Sequence, residues 1–245
     1  MPEFEFISEH ILRLELPWKV AGPFTVPVAV WLVRDRDGWS LVDSGPPETA
    51  DQVVAAVARA TNGQGPVRIF LTHAHYDHAG GVGALRQAWD PALLCHREEV
   101  PIVTGLTDYR RLPSRSAVYR LGRFFLRRTR WSYPVGRELE GGLSVGGMAV
   151  IHLPGHTAGH VGLLHPADRA MICGDAVMHL GGQLSLPFGM STIDPQAARA
   201  SVRRLGELDF IHLLPGHGPA ILARGREAIE YFLSRMEGHP EPSRW

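Results

Sequence analysis

Residues 72–81, THAHYDHAGG, constrain the fold of this chain more than any other stretch. Three histidines and an aspartate fall within six of its positions: His73, His75, Asp77 and His78. The apolar run before it, residues 67–71, is short and β-rich and predicts a buried strand, whereas the glycines after it predict the tight entry to a helix. Strand-end turns are where α/β folds place their sites. We therefore expect an α/β fold with this cluster on such a turn.

The spacing within the cluster is typical of metal ligands. On an extended backbone His73 and His75 project to the same side, and Asp77 and His78 follow where the chain bends. Several imidazoles and a carboxylate in one crevice are costly unless a cation compensates them. The segment therefore predicts two ligands for one metal ion and two for another nearby.

Three later turns each offer one more candidate ligand after a predicted strand. His156 lies in PGHT, Asp175 in CGD and His217 in PGHG. A neighbouring glycine allows the sharp turn that directs each side chain back over the strand ends. Each turn alone is weak evidence, but with the first cluster they make seven nitrogen or oxygen donors. Such a set suits zinc and also iron or manganese.

The remaining elements follow from hydrophobic periodicity and turn residues. Strands are expected at residues 4–16, 26–33, 39–42, 92–95, 148–153, 161–164, 170–173 and 210–214, and helices at 195–205 and 225–236. Asp43 directly follows the third strand. The Pro/Gly-rich segment Pro17–Pro27 is predicted to be a loop, which either only connects strands or also overhangs the site.

Residues 106–136 are interpreted as an insertion between two similar halves, about 1–105 and 138–245, of a single domain. Eight arginines and no acidic residue lie between Arg110 and Arg130, in a chain of zero net charge. Arg120, Arg123, Arg127 and Arg130 alternate with apolar residues at helical spacing, which predicts a basic amphipathic helix. Its apolar side either packs on the core, or the helix attracts an anionic substrate, lipid headgroups or nucleic acid.

The overall composition excludes some functional classes. Zero net charge, with 44% hydrophobic and 20% charged residues, describes a globular protein without a general attraction to nucleic acid. No apolar run approaches the length of a membrane span. Cys95 and Cys173 lie in apolar runs and are expected to be buried free thiols. The acidic N-terminus does not resemble a signal peptide, so a cytoplasmic location is expected.

The His-x-His-x-Asp-His pattern and the ordered later ligands resemble the metallo-β-lactamase-fold hydrolase superfamily, from Asp43 through His217. This resemblance implies a four-layer αβ/βα sandwich with a dinuclear site. The expected ions are zinc, with iron or manganese as the alternatives. One ion would be held by His73, His75 and His156. The second would be held by Asp77, His78 and His217, with Asp175 bridging both. Asp43 would support the ligands from behind.

The resemblance also implies a reaction. A hydroxide bridging two divalent ions would cleave a carboxylic ester, lactone or thioester of a small molecule, with Asp77 as the proton shuttle. The ligand set is similar to that of type II glyoxalases and lactonases, although the tyrosine that lactonases carry after the bridging aspartate is Met178 here.

Two other reactions stay open at this point. A phosphodiesterase or nuclease would use the arginine helix to bind phosphates, and a mononuclear iron persulfide dioxygenase shares much of the ligand pattern. His179, Arg123 and Arg127 are candidate substrate contacts. Nucleic acid is a disfavoured partner, and the sequence leaves the oligomeric state open.

Overall fold

The computed structural model describes residues 2–21, 24–114, 116–124, 126–128 and 132–238. The strands are β1 (Glu5–Phe6), β2 (Ile11–Ala21), β3 (Phe24–Asp35), β4 (Gly38–Val42), β5 (Pro66–Phe70), β6 (Ala92–His96), β7 (Arg137–Leu139), β8 (Ser144–Val145), β9 (Met148–His152), β10 (Val161–His165), β11 (Ala170–Gly174), β12 (Met178–Leu180), β13 (Gln183–Ser185) and β14 (His212–Pro215). The helices are α1 (Ala50–Ala60), α2 (Tyr76–Ala79), α3 (Val82–Trp89), α4 (Val100–Val103), α5 (Ala117–Gly122), α6 (Pro195–Gly206) and α7 (Gly225–Met236). Short 3₁₀ turns occupy Pro47–Thr49, Arg97–Glu99, Tyr109–Arg111 and Gly189–Ser191.

Two main sheets face each other. The first has seven strands in the order β1 to β7, and the second has five in the order β14-β11-β10-β9-β8. β4, β5, β6 and β7 run parallel to one another, and β11 is parallel to β14. The carboxyl ends of β4, β5, β11 and β14 carry four of the five loops predicted to hold site residues, and the fifth loop follows β9.

Successive side chains point to opposite faces of each strand, and the buried ones form three layers of hydrophobic core. On β3, Val30 and Leu32 pack toward α1 and α3, whereas Trp31 and Val33 pack between the sheets. This is the period-2 pattern of a strand buried on both faces. The second sheet repeats the arrangement, because one face joins the core between the sheets and the other packs against α6 and α7. The result is the predicted αβ/βα sandwich.

The predicted loop at Pro17–Pro27 is wrong, because β2 and β3 continue through it as a hairpin. Trp18 lies opposite Val26, and Pro17 opposite Pro27. Opposed residues in an antiparallel ladder alternate between exchanging two hydrogen bonds and exchanging none. Two prolines fit the second kind of pair, since neither has an N–H to donate.

The long amphipathic helix predicted in the insertion is also corrected. α5 ends at Gly122, where a Cβ would lie 2.4 Å from Met190 Cβ. Tyr119 is buried and its hydroxyl donates to Tyr109 O, whereas Val118, Leu121 and Phe124 are exposed. The apolar side therefore faces away from the core. Arg130 and Phe125 lie outside the described residues.

Two smaller expectations have clear outcomes. Cys95 and Cys173 are free and buried, as predicted. In the described part of the chain, no helix combines the length and the apolar character needed to cross a bilayer.

Candidate metal centre

Five loops bring the predicted site residues to one edge of the sandwich. Each loop follows the carboxyl end of a strand: β4, β5, β9, β11 or β14. They carry Asp43, then His73, His75, Asp77 and His78, then His156, Asp175 and His217, and all eight side chains are buried. Asp77 and His78 lie on the single turn of α2, so the chain turns helical within the motif itself.

The first group of donors is His73, His75 and His156, whose ligand atoms lie within 4.8 Å of one another. His75 Nδ1 and His156 Nε2 face each other at 2.9 Å. His73 Nδ1 is occupied by the Thr72 hydroxyl at 3.0 Å, which leaves its Nε2 free. The three imidazoles thus converge on one point.

The second group of donors is Asp77, His78 and His217. His217 Nε2 lies 3.2 Å from Asp77 Oδ2 and 3.4 Å from His78 Nε2. His217 Nδ1 donates to Pro27 O at 2.8 Å, so Nε2 is the nitrogen directed into the site.

Asp175 lies between the two groups. One of its oxygens is 3.2 Å from His217 Nε2 and 3.5 Å from His156 Nε2, and the other is 3.4 Å from His78 Nε2. The close approach depends on Gly216, where a Cβ would lie 2.4 Å from Asp175 Oδ1.

The donor set fits divalent cations. Neighbouring ligands of a tetrahedral ion with bonds of about 2.0–2.1 Å stand about 3.4 Å apart, close to most of the separations seen here. Among the described residues, His73 Nε2 and Asp175 Oδ1 are buried without a hydrogen-bond partner. Buried polar atoms are rarely left unpaired, so at His73 and Asp175 the site has room for a cation to complete their coordination.

The electrostatics divide the histidines in two. Burial, and then the neighbouring imidazoles, hold the pKa values of His73 and His156 well below the ordinary value. Burial also disfavours the charged form of His78, but Asp175, Asp77 and Asp43 outweigh it and raise its pKa to about 9. The first group is therefore neutral and ready to bind a cation, whereas metal binding at the second group must displace a proton.

Asp43 holds the ligand loops from behind. Its carboxylate accepts hydrogen bonds from His78 Nδ1 at 2.8 Å and from the Thr72 N–H at 2.8 Å. Its backbone φ of 61° lies in the left-handed region, which asparagine and aspartate tolerate better than most residues. This conformation lets one carboxylate fix the ring of His78 and the start of the motif together.

Glu99 is a site residue that the sequence reasoning missed. One carboxylate oxygen accepts from the Ala74 N–H at 3.0 Å and from the Tyr109 hydroxyl, and the other from Thr157 Oγ1 at 2.6 Å and the Gly159 N–H at 3.1 Å. It therefore connects the loop of His73 and His75 to the loop of His156. In the sequence, Glu99 is the second of two consecutive glutamates at residues 98–99, a pattern typical of the exposed start of a helix.

His160 also supports the site rather than entering it. It is fully buried, and its Nε2 accepts the Asp175 N–H at 2.9 Å. His96 stacks on His152 with ring centroids 4.2 Å apart, at a distance from the donors. Neither side chain is therefore among the proposed ligands.

A largely apolar cavity of about 360 Å³ opens onto the donors. His75, Asp77, His156, Asp175 and His217 lie at its base. Its apolar lining is Trp18, Val20, Leu126, Met178, Phe188 and Met190. Trp18 comes from the hairpin of β2 and β3, with its ring 5.9 Å from that of His217, so this hairpin overhangs the site.

The three candidate substrate contacts have different positions. Arg127 lines the cavity, but it pairs with Glu48, donates to Lys19 O at 3.2 Å and covers the ring of Tyr76. Arg123 donates to Leu112 O and His179 Nδ1 donates to Pro219 O, and neither lines the cavity. Arg127 thus connects the insertion to the hairpin, and its positive charge is compensated by Glu48.

A second cluster consists of His10, His165 and Asp168. It lies where β2 begins and β10 ends, at the edge of the sandwich opposite the candidate metal centre. Asp168 accepts hydrogen bonds from Ser8 Oγ, the His10 N–H and His10 Nδ1. Its carboxylate is therefore satisfied without a cation, and the cluster connects the first sheet to the second.

Comparisons with known sequences agree with this geometry. The family profile described as the metallo-beta-lactamase superfamily matches residues 24–217. The probable metallo-hydrolase YflN of Bacillus subtilis (strain 168) is 31% identical over 77% of this chain and 78% of its own length. A hydroxyacylglutathione hydrolase of Alkalilimnicola ehrlichii is 28% identical over 92% of this chain and 80% of its own length.

A solved structure is similar to this chain in both fold and sequence. TTHA1623, crystallised in a di-iron-bound form, superposes with a TM-score of 0.63 at 30% identity, covering 90% of this chain and 96% of that one.

Proposed function

The chain belongs to the metallo-β-lactamase superfamily of metal-dependent hydrolases, and from this premise we propose that it is a dinuclear hydrolase of carboxylic esters, lactones or thioesters. The observation that carries the proposal is the convergence of seven buried donors in two groups that share Asp175. Similarity to hydroxyacylglutathione hydrolases, whose substrates are thioesters, supports the same reaction class.

Each donor has a proposed role. His73, His75 and His156 would hold one ion, Asp77, His78 and His217 the second, and Asp175 would contact both. When bound, two divalent ions would supply a water of lowered pKa and polarise the substrate carbonyl. Asp43, Glu99 and His160 keep the donors oriented, which is the role of such outer contacts at metal sites.

Asp77 is the proposed proton shuttle. Its carboxylate lies at the base of the cavity, with Oδ2 3.2 Å from His217 Nε2. The opposing effects of burial and of the cationic forms of His78 and His217 leave its pKa below the ordinary value. It is therefore ionised at neutral pH and able to accept a proton from water and deliver it to a leaving group.

The cavity lining favours a substrate with an uncharged acyl group. The walls above the donors are apolar, and Arg127, the arginine among the described lining residues, is paired with Glu48. An apolar acyl chain would gain from leaving water there, whereas a free carboxylate on that chain would find no unpaired arginine or lysine among the described residues of these walls.

Metal identity belongs to the proposal as well. Zinc is proposed first because all donors are imidazole nitrogens or carboxylate oxygens. Iron or manganese uses the same donors, and the di-iron form of TTHA1623 makes iron the strongest competitor. A cytoplasmic location also stays a proposal, and cell fractionation tests it.

The decisive experiment is metal analysis of the purified protein, followed by assays of the metal-free and reconstituted forms. The substrates are lactones, acyl thioesters, aryl esters and a phosphodiester. We expect two ions per chain and metal-dependent hydrolysis of the carboxylic substrates. Preferential cleavage of the phosphodiester would favour a phosphodiesterase or nuclease. One iron per chain with oxygen consumption on a persulfide would favour the dioxygenase.

A further inference from the structure

The insertion exposes an apolar surface beside the entrance of the cavity. We define the apolar patch as Val118, Leu121, Phe124, Phe188 and Met190. Their exposed fractions are 59%, 73%, 64%, 41% and 45%. Monomeric proteins seldom expose several large apolar side chains together unless the surface contacts something.

The patch is one surface because two segments pack against each other. Met190 packs against Gly122 at the end of α5, and a Cβ at Gly189 would lie 3.4 Å from Val118. Val118 and Leu121 are one helical turn apart. Phe188 and Met190 also line the cavity, so the patch continues into the site.

Arginines alternate with the patch residues along the insertion. Arg120 and Arg128 are exposed, and the guanidinium of Arg123 lies over the ring of Phe124 at 5.7 Å. Arg110, Arg111 and Arg128 form no ion pair with any other described residue. Residues 110–130 carry eight positive charges and no negative one, so the remainder of this electroneutral chain carries the opposite charge.

We propose that this patch and its arginines dock the protein on an anionic lipid surface. Apolar side chains flanked by arginines have the composition of segments that lie in the headgroup region, with the apolar groups inserted and the cations on lipid phosphates. The location beside the cavity would let an acyl chain pass from the bilayer to the donors.

Charge selects this occupant over two others. A second copy docked through the same patch would bring two clusters of arginines together, which is repulsive. Nucleic acid would satisfy the arginines but would leave the aliphatic side chains of Val118, Leu121 and Met190 without partners. An anionic bilayer satisfies both parts of the surface.

The test is cosedimentation of the metal-loaded full chain with vesicles of phosphatidylcholine, with and without phosphatidylglycerol. We expect binding that requires the anionic lipid and weakens as salt rises. No substrate is present, so the result is independent of the proposed reaction.

Two variants separate the contributions of the surface. Arg120→Gln with Arg128→Gln should weaken partitioning about 30-fold, because each arginine near an anionic surface contributes about 1 kcal/mol. Leu121→Ser with Phe124→Ser should weaken it about tenfold even at low salt. Matched controls elsewhere, Arg36→Gln with Arg199→Gln and Phe6→Ser, should bind like the wild type.

Three results would overturn the proposal. The first is a wild-type protein that does not bind anionic vesicles at low salt. The second is unchanged binding after Leu121→Ser with Phe124→Ser. The third is a dimer in sedimentation velocity that this same double variant dissociates.

Discussion

Asp77 shows how one side chain can be tested for chemistry rather than for folding. Asp77→Asn keeps the shape of the side chain but removes the carboxylate that we propose accepts a proton at the base of the cavity. We expect kcat to fall by about 10²- to 10⁴-fold, the usual contribution of a general acid or base. The measurement is kcat and metal content at matched metal loading.

Asp51→Asn, an exposed change on α1, is the control for that variant and should retain full activity. Circular dichroism should be unchanged in both. Wild-type turnover by the Asp77→Asn protein would remove Asp77 from the mechanism.

Glu99 allows a second test at the scale of one residue. Glu99→Gln replaces one of two accepting oxygens by an NH₂ group, which opposes donors that the carboxylate now satisfies. Leaving buried donors unpaired costs about 1–3 kcal/mol, so the free energy of unfolding should fall by that amount. Urea unfolding of the metal-free protein measures this change.

A positioning role for Glu99 also requires weaker metal binding, which competition with a chelator would measure. Glu98→Gln is the matched control, since Glu98 is the exposed neighbour. If Glu99→Gln lowers stability but leaves metal affinity unchanged, Glu99 supports the fold alone.

The difference between the ligands and Glu99 explains how far the site could be predicted. Four of the seven proposed ligands fall within six consecutive residues, and the others follow strand ends marked by glycine, so the local pattern was enough to identify them. Glu99 acts through contacts with Ala74 and with Thr157, which are 25 and 58 residues away. Contacts at such separations exist only in the folded chain, and a single sequence contains no sign of them.

At the scale of elements, periodicity predicted some boundaries well and others poorly. α7 begins at Gly225 and ends at Met236, as expected. α5 is far shorter than its periodic arginines implied, because the end of the helix is set by packing of Gly122 on Met190. The hairpin of β2 and β3 was not predicted, because prolines are usually a sign of a loop. Whether a strand tolerates them depends on which of its pairs exchange hydrogen bonds, and that pairing exists only in the folded sheet.

That hairpin is predicted to select the acyl group of the substrate. Trp18→Ala removes an aromatic wall of the cavity, so KM should rise about tenfold or more for long acyl chains and little for acetyl substrates. Initial rates over a series of acyl lengths measure this. Phe24→Ala, near the end of the same hairpin but outside the lining, should behave like the wild type. Equal losses for all chain lengths would exclude a role of Trp18 in selectivity.

The junction of β6 and β9 carries a predicted pH dependence. Burial, and then charge on His152 and Arg97, lower the pKa of His96 to about 4. Between pH 6.5 and 4 the unfolded chain binds a proton at His96 that the folded chain does not bind. The free energy of unfolding therefore falls as the pH falls through this range. Relative to His96→Asn, the wild type should lose about 2 kcal/mol from pH 7 to pH 4.5.

Asparagine is chosen at residue 96 because it can still accept the Glu98 N–H that His96 Nδ1 accepts. Urea unfolding of both proteins at each pH, under the same metal loading, gives the difference directly. Parallel pH profiles for the two proteins would show that His96 is protonated equally in the folded and unfolded states.

At the scale of the whole molecule, we propose that the chain folds as one domain of two similar halves. The core between the sheets takes Trp31 and Phe70 from one sheet and Leu163 and Ile172 from the other. Neither sheet could bury that face alone, so the two halves are expected to unfold in a single transition.

The proposed metal centre takes its ligands from both halves, and this arrangement leads to the last prediction. The first sheet supplies His73, His75, Asp77 and His78, and the second supplies His156, Asp175 and His217, so bound ions would link the halves. A ligand that binds only the folded state, at 100 to 1000 times its Kd, stabilises it by about 3–4 kcal/mol. Removing each ion should then lower Tm by roughly 6–16 °C, as calorimetry before and after chelation would show. In His156→Ala with His217→Ala, one ligand of each ion is lost, so chelation should change Tm little. An unchanged Tm in wild-type protein from which analysis shows the metal has gone would mean that the ions do not hold the two halves together.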